Sequence, residues 1–146
     1  MSTIADLNPD VALAALLDGK VQAKNASGNM VTLKAFADGE HGNKDNDDEY
    51  IEILYNGNPE NVTQDNTAMK GNLVLYLRCK MQPDTKVKKS RMRLILQQIE
   101  PLVHRKHSQG YFFVLSPQPI MPPQRDYSTG YASIAYNIKW EYGINN

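Results

Sequence analysis

The stretch PDTKVKKSRMRLILQQIEPLV, residues 83–103, decides the fold, because it predicts the main amphipathic helix of the chain. Its apolar residues recur at three- and four-residue steps, which places them on one side of an α-helix. Burying such side chains is worth roughly 1.5–3 kcal/mol each, so this side must face a core. We predict a helix over residues 84–103, capped by Asp84 or Thr85, with a kink or stop at Pro101. The apolar residues are Val87, Met92, Ile95, Leu96, Ile99, Leu102 and Val103.

The polar side of this predicted helix carries a concentration of positive charge. The cations lie at the end where the helix dipole is positive, so local helix energetics disfavours them there. Two interpretations are open: a solvated face that keeps the protein soluble, or a surface that meets an anionic partner, either carboxylates or phosphates. The five cations are Lys86, Lys88, Lys89, Arg91 and Arg93.

The net charge of zero hides an asymmetry between the two halves of the sequence. Residues 1–72 hold twelve acidic and five basic residues, whereas residues 73–146 hold four and eleven, which gives charges of −7 and +7. A monomer could fold these halves against each other. A self-assembling protein could instead place the acidic patch of one copy on the basic patch of the next, a heterologous contact that closes into rings.

Length and composition favour a single domain over residues 1–146. A hydrophobic fraction of 41% and a charged fraction of 22% are ordinary for a globular protein with one core. No apolar run has the length of a membrane span, and the first ten residues lack the pattern of a signal peptide. We therefore expect no membrane association, and a protein used in the cytoplasm or inside a particle assembled there.

The remaining periodic segments predict a small mixed domain. Asn8, Pro9 and Asp10 form a helix-start signal for a short helix over residues 11–17, which Gly19 stops. Alternating or apolar runs then predict strands, the first two as a hairpin. The predicted strands cover residues 21–24, 30–36, 50–55, 72–81, 111–115 and 131–142.

Two polar or proline-rich segments connect these elements. Residues 38–49 predict an exposed acidic loop, whose spacing does not fit a calcium loop because Tyr50 takes the position that needs Gly. The acids of this loop that we single out are Asp45, Asp47, Asp48 and Glu49. Residues 116–126 predict an extended arm, which is either a mobile excursion or a reach to a neighbouring subunit. Its prolines are Pro117, Pro119, Pro122 and Pro123.

Catalytic and ligand-binding motifs are absent from the sequence. No phosphate-binding glycine loop, zinc-protease motif or nucleophile elbow occurs. The lone Cys79 excludes an internal disulfide framework and predicts an inert, half-buried thiol in a strand. His104 and His107 have no neighbouring ligand that would complete a metal site. We therefore expect no enzyme activity, no cofactor and no metal.

The element order from residue 50 to residue 142 resembles a known family. Two strands, the main helix, a strand, the proline-bearing arm and the closing strand YASIAYNIKWEY (131–142) follow one another as in the small tail-terminator and tail-completion (neck) proteins of tailed bacteriophages. The resemblance implies an α+β fold, with an antiparallel sheet packed on one main amphipathic helix. The residue patterns described above add a short N-terminal helix and an extended hairpin arm to this fold. The resemblance also implies a ring, commonly of six subunits, at the head-tail junction of the virion.

The resemblance implies a structural virion protein, assembled in the host cytoplasm, that stops tail-tube polymerisation. Its partners would be copies of itself, the tail tube and the head connector, with DNA passing through the channel. On this hypothesis the five cations meet the four acids of an adjoining subunit, or line the channel. The alternative is a nucleic-acid-binding module that grips phosphates with the basic face of the 84–103 helix, with an affinity that falls steeply with salt.

Overall fold

A computed structural model describes residues 7–24, 27–41, 48–62, 68–116 and 120–143, with the side chains of residues 120–122 excepted. These residues form two helices and ten strands. The helices are α1 (Pro9–Leu17) and α2 (Lys89–Val103). The strands are β1 (Gln22–Lys24), β2 (Met30–Thr32), β3 (Lys34–Phe36), β4 (Glu49–Tyr55), β5 (Glu60–Asn61), β6 (Met69–Lys80), β7 (Lys106–Ser108), β8 (Tyr111–Leu115), β9 (Ile120–Asp126) and β10 (Tyr131–Tyr142).

One curled sheet of eight strands dominates the structure. Its order is β3-β4-β6-β10-β8-β7, with β5 on the β4 side of β6 and β9 on the β8 side of β10. The long strands β6 and β10 pair antiparallel over their whole length, from Tyr131 opposite Lys80 to Tyr142 opposite Met69. This pair forms the centre of the sheet: β4 and β5 pair with β6, β8 and β9 pair with β10, and β3 and β7 lie outside β4 and β8.

The core lies between one face of this sheet and the two helices. Alternation along β6 and β10 sends Leu75 and Tyr136, which are cross-strand neighbours, to the same buried face. From α2, the residues that bury against this face are Met92, Ile95, Leu96, Ile99 and Val103. The predicted apolar side of the main helix is therefore confirmed for these five residues, whereas Val87 precedes α2 and Leu102 is half-buried. The prediction that Cys79 is half-buried is wrong in degree, since its exposed fraction is 1%.

The α+β class is confirmed, but an antiparallel sheet on one main helix is wrong. Helix α1 packs on the same core as α2, because Ala12, Leu13 and Leu17 are fully buried there. The predicted strand 30–36 divides at the buried Leu33. Its first part pairs with β1 in a separate ribbon, and its second part, β3, joins the main sheet parallel to β4.

The main helix begins later than the predicted residue 84. Thr85 has a positive φ of 64°, and the amide of Gln82 donates to the carbonyl of Lys86, which closes a tight loop before the helix. Asp84 accepts from the Lys86 amide at 3.3 Å, so it caps this loop and not α2. At the other end, α2 continues two residues past Pro101, where a stop or kink was predicted.

The proline-rich segment is an edge strand in the part that the structure describes. This part is extended and forms a hairpin with β10, as predicted, but it pairs antiparallel with β10 and is therefore not a free arm. The register shifts between Ser133 and Ala135, which face Gln124 and Ile120, and Pro122 and Pro123 lie in that shift. Proline has no backbone N–H, so it cannot continue a ladder and is found at edges and bulges. Pro117 and Pro119 lie outside the described residues.

Candidate functional site

The two sides of α2 face opposite edges of the sheet. Residues two positions apart on a helix point in nearly opposite directions, so Arg91 lies on one side and Lys89 and Arg93 on the other. Arg91 pairs with Glu49 of β4, whereas Lys89 and Arg93 line a groove with Pro123 of β9. We call these sides the β4 flank and the β9 flank of α2.

On the β4 flank, charge is neutralised inside the subunit. The Arg91 Nε donates to the Glu49 Oε1, and the two side chains are 20% and 4% exposed. Glu49 faces Cys79 across the β4–β6 ladder. Burial, and then the Glu49 charge, raise the pKa of the Cys79 thiol to about 12. The thiol is therefore protonated and inert at neutral pH, as predicted for this cysteine.

A second charge pair lies on the opposite face of the sheet. The Arg78 Nε donates to the Glu52 Oε1 at 2.8 Å, and the Arg78 Nη1 donates to the Ser133 hydroxyl at 2.8 Å. The guanidinium also lies 4.5 Å from the centre of the Tyr76 ring. Both this pair and the Arg91–Glu49 pair join the acidic half of the sequence to its basic half. Part of the charge asymmetry is thus matched within one subunit, which was the first of the two open alternatives.

On the β9 flank, α2 and the β9–β10 hairpin enclose a groove of about 340 Å³. Lys89 and Arg93 lie at the end of the groove where the helix begins. Among the described residues, no carboxylate forms an ion pair with either cation. The groove is lined by Lys89, Arg93, Leu96, Gln97, Glu100, Pro123, Ile134 and Tyr136.

A carboxylate marks the other end of the same groove. The Tyr136 hydroxyl donates to the Glu100 Oε1 at 2.5 Å. Burial, and then the bond to Glu100, raise the pKa of Tyr136 far above its ordinary value, so the hydroxyl stays a donor. The groove is therefore polarised along α2, with two cations at one end, an apolar floor and a negative charge at the other end.

The remaining predicted site residues are dispersed around this end of the molecule. Lys86 pairs with Asp84 at 3.4 Å in the loop before α2, and both side chains are exposed. Lys88 occupies the N-cap position of α2, which has no side-chain cap. Asp48 is exposed at the start of β4, where its carbonyl accepts from the Lys80 amide. Asp45 and Asp47 lie outside the described residues, as does the side chain of Pro122.

The structure brings together three of the predicted residues, Lys89, Arg93 and Pro123, and separates Arg91 and Glu49 from them. Sequence reasoning missed Glu100 and Tyr136 as members of the site. Helical spacing could have indicated Glu100, because it lies seven residues beyond Arg93 and shares its side of the helix. No sequence signal indicated that Tyr136 would lie beneath it.

The described part of the chain contains neither a cluster of metal-ligating side chains nor a helix that could span a membrane. There, His, Cys, Asp and Glu side chains do not gather in a group of three or more that could hold a metal ion. His104 has a structural role instead, because its Nδ1 accepts a hydrogen bond from the Leu115 amide at 3.1 Å. No helix among these residues is both long and apolar enough to span a bilayer. Comparison with family models and with curated proteins finds no match to this chain.

Proposed function

We propose that this protein is a structural virion protein, a tail-terminator or tail-completion subunit that forms a ring, of six copies, at the head-tail junction of a tailed bacteriophage. The support is the α+β fold, together with the succession of strands, basic helix and β9–β10 hairpin after residue 50. The protein acts through protein–protein assembly. Its partners are other copies of itself, the tail tube and the head connector, and DNA passes through the ring.

The observation that carries the proposal is the unmatched positive charge on the β9 flank. Lys89 and Arg93 stand beside an open groove without a carboxylate partner in the described part of the subunit, whereas Arg91, two residues away, is paired and four-fifths buried. Helix energetics disfavours a cation at Lys89, in the first turn of α2. A ring subunit needs two different surfaces that recognise each other, and an unmatched basic flank supplies one of them.

A nucleic-acid-binding module is the second candidate, and one observation favours it. The first turn of α2 has no side-chain cap and follows Lys88, so the positive end of the helix dipole and the cations could together hold a phosphate. Binding of this kind loses affinity steeply as salt rises. A filter-binding titration at two salt concentrations separates the candidates, because a ring subunit shows no tight, salt-sensitive binding to DNA.

The function is tested by reversing the charge of the β9 flank in virions. Lys89→Glu with Arg93→Glu should leave the monomer folded, as judged by circular dichroism, but should yield heads and tails that do not join in electron micrographs. Lys20→Glu with Lys24→Glu is the matched control, because both residues are exposed and neither lines the groove. Normal particles from the first variant would contradict the proposal.

A further inference from the structure

We infer that the groove on the β9 flank is the docking site for the acidic segment at residues 45–48 of a second copy of this chain. This inference rests on the proposed function and specifies the contact between neighbouring subunits. It follows from three properties of the molecule: the polarity of the groove, the engagement of the other carboxylates, and the positions of the two surfaces on opposite sides of the central strands.

The groove selects an anionic, slender occupant. Lys89 and Arg93 are four residues apart, so their Cα atoms lie about 6 Å apart along the helix axis. In an extended segment, side chains two residues apart share a face and are separated by about 6.6 Å. Asp45 and Asp47 would therefore match the spacing of the two cations if the segment docks extended. The Glu100 carboxylate at the far end repels further negative charge, which fixes the position of the acidic part.

Most other carboxylates of the described chain are already engaged within the subunit. Glu49 and Glu52 are ion-paired with arginines, and Glu100 accepts from Tyr136. The rest of the engaged carboxylates bond to amides, hydroxyls or lysines: Asp10, Asp18, Asp38, Glu60, Asp84 and Asp126. The sequence places Asp45 and Asp47 beside the exposed Asp48, which makes this segment the densest source of charge for the groove.

The geometry points to a neighbouring copy as the source of the segment. Asp48 precedes β4 and is anchored to Lys80 of β6, whereas the groove adjoins β9, on the other side of the β6–β10 pair. The cation nearest to the β4 side, Arg91, is already paired with Glu49. The acidic segment and the groove thus adjoin different flanks of α2, and two different surfaces on one subunit are what the heterologous contact of a ring requires.

A peptide with the sequence of residues 41–49, HGNKDNDDE, provides a direct probe. Titrated into the intact protein and followed by amide chemical shifts, it should perturb residues 89–97 and Gln124 and leave α1 unchanged. Lys89→Glu with Arg93→Glu should weaken binding at least about ten-fold, because two attractions become repulsions. The Lys20→Glu, Lys24→Glu protein should bind as the wild type does.

Two results would overturn the inference. One is no shift change in the groove at millimolar peptide. The other is equal binding to the Lys89→Glu, Arg93→Glu protein. A peptide in which the three aspartates are replaced by lysine should reverse the preference and bind the charge-reversed protein. Failure of these titrations alongside loss of head-tail joining in the same variant would reject this contact and leave the proposed function standing.

Discussion

The β4 flank and the β9 flank of α2 carry the same kind of charge and differ in what surrounds it. Arg91 on the β4 flank is four-fifths buried and paired with Glu49, so its charge contributes to the fold. Lys89 and Arg93 on the β9 flank border an open groove and have no carboxylate partner among the described residues. A run of cations in a sequence is therefore not one functional unit, because alternate positions on a helix meet different environments.

We expect the largest loss of stability from a substitution on the buried side of α2, which lies between the two flanks. Ile95→Ala removes a side chain with no exposure and should lower the free energy of unfolding by about 3 kcal/mol. Leu94→Ala, its neighbour with 62% exposure, should change it by no more than about 0.5 kcal/mol. Urea denaturation of both variants measures the difference, and equal values would mean that α2 does not pack as described.

The next effect concerns the β4 flank. Glu49→Ala leaves the Arg91 charge largely buried without a partner and should reduce the free energy of unfolding by about 2–3 kcal/mol. Asp48→Ala is the matched control, because Asp48 is exposed and its change should stay within about 0.5 kcal/mol. If chemical denaturation gave the same midpoint for both variants, the Arg91–Glu49 pair would not be a structural contact.

Cys79 supplies a reporter beneath the same flank. Its pKa is raised from 9.0 to about 12, so the stability that comes from keeping the thiol protonated is complete below pH 9 and is lost between pH 9 and 12. At pH 8 a thiol reagent should not modify the folded protein. Glu49→Ala should raise the modification rate at least about ten-fold through local opening. The same rate in the wild type and in that variant would show that the pair does not cover the thiol.

The smallest expected effect on stability belongs to the β9 flank. Lys89→Ala with Arg93→Ala should change the free energy of unfolding by no more than about 0.5 kcal/mol, because exposed charges contribute little to the fold. The same variant should lose peptide binding in the groove. A destabilisation comparable with that of Glu49→Ala would mean that the two flanks do not differ.

The regular elements were predictable because their patterns are local. Alternation predicted strand β10 at its observed bounds, and the three- and four-residue spacing predicted the buried residues of α2, from Met92 to Val103. The start of α2 was not predictable, since Thr85 adopts a positive φ that no propensity favours. Thr85 lies in the segment that connects β6 to α2. The first residue of α2 therefore depends on how this segment packs, which the local sequence pattern does not show.

The sequence could not show which charged side chains form ion pairs or which strands lie side by side. Glu49 and Arg91 are far apart in the chain, and their contact depends on β4 lying beside β6 beneath α2. The same holds for Pro123, which the sequence placed in an arm but which lies in the register shift of β9 against β10. Charge counting identified the residues of the basic cluster, and only the sheet order separated them into a structural flank and an exposed one.

The most direct measurement of the central claim is a charge exchange between the two surfaces of the proposed contact. A chain carrying Lys89→Glu, Arg93→Glu, Asp45→Lys, Asp47→Lys and Asp48→Lys has both surfaces reversed. Electron microscopy of particles made with it should show joined heads and tails, whereas chains reversed on one surface alone should give none. Unjoined particles from the fully reversed chain, or joined particles from either half-reversed chain, would contradict the claim that the β9 flank recognises the acidic segment of its neighbour.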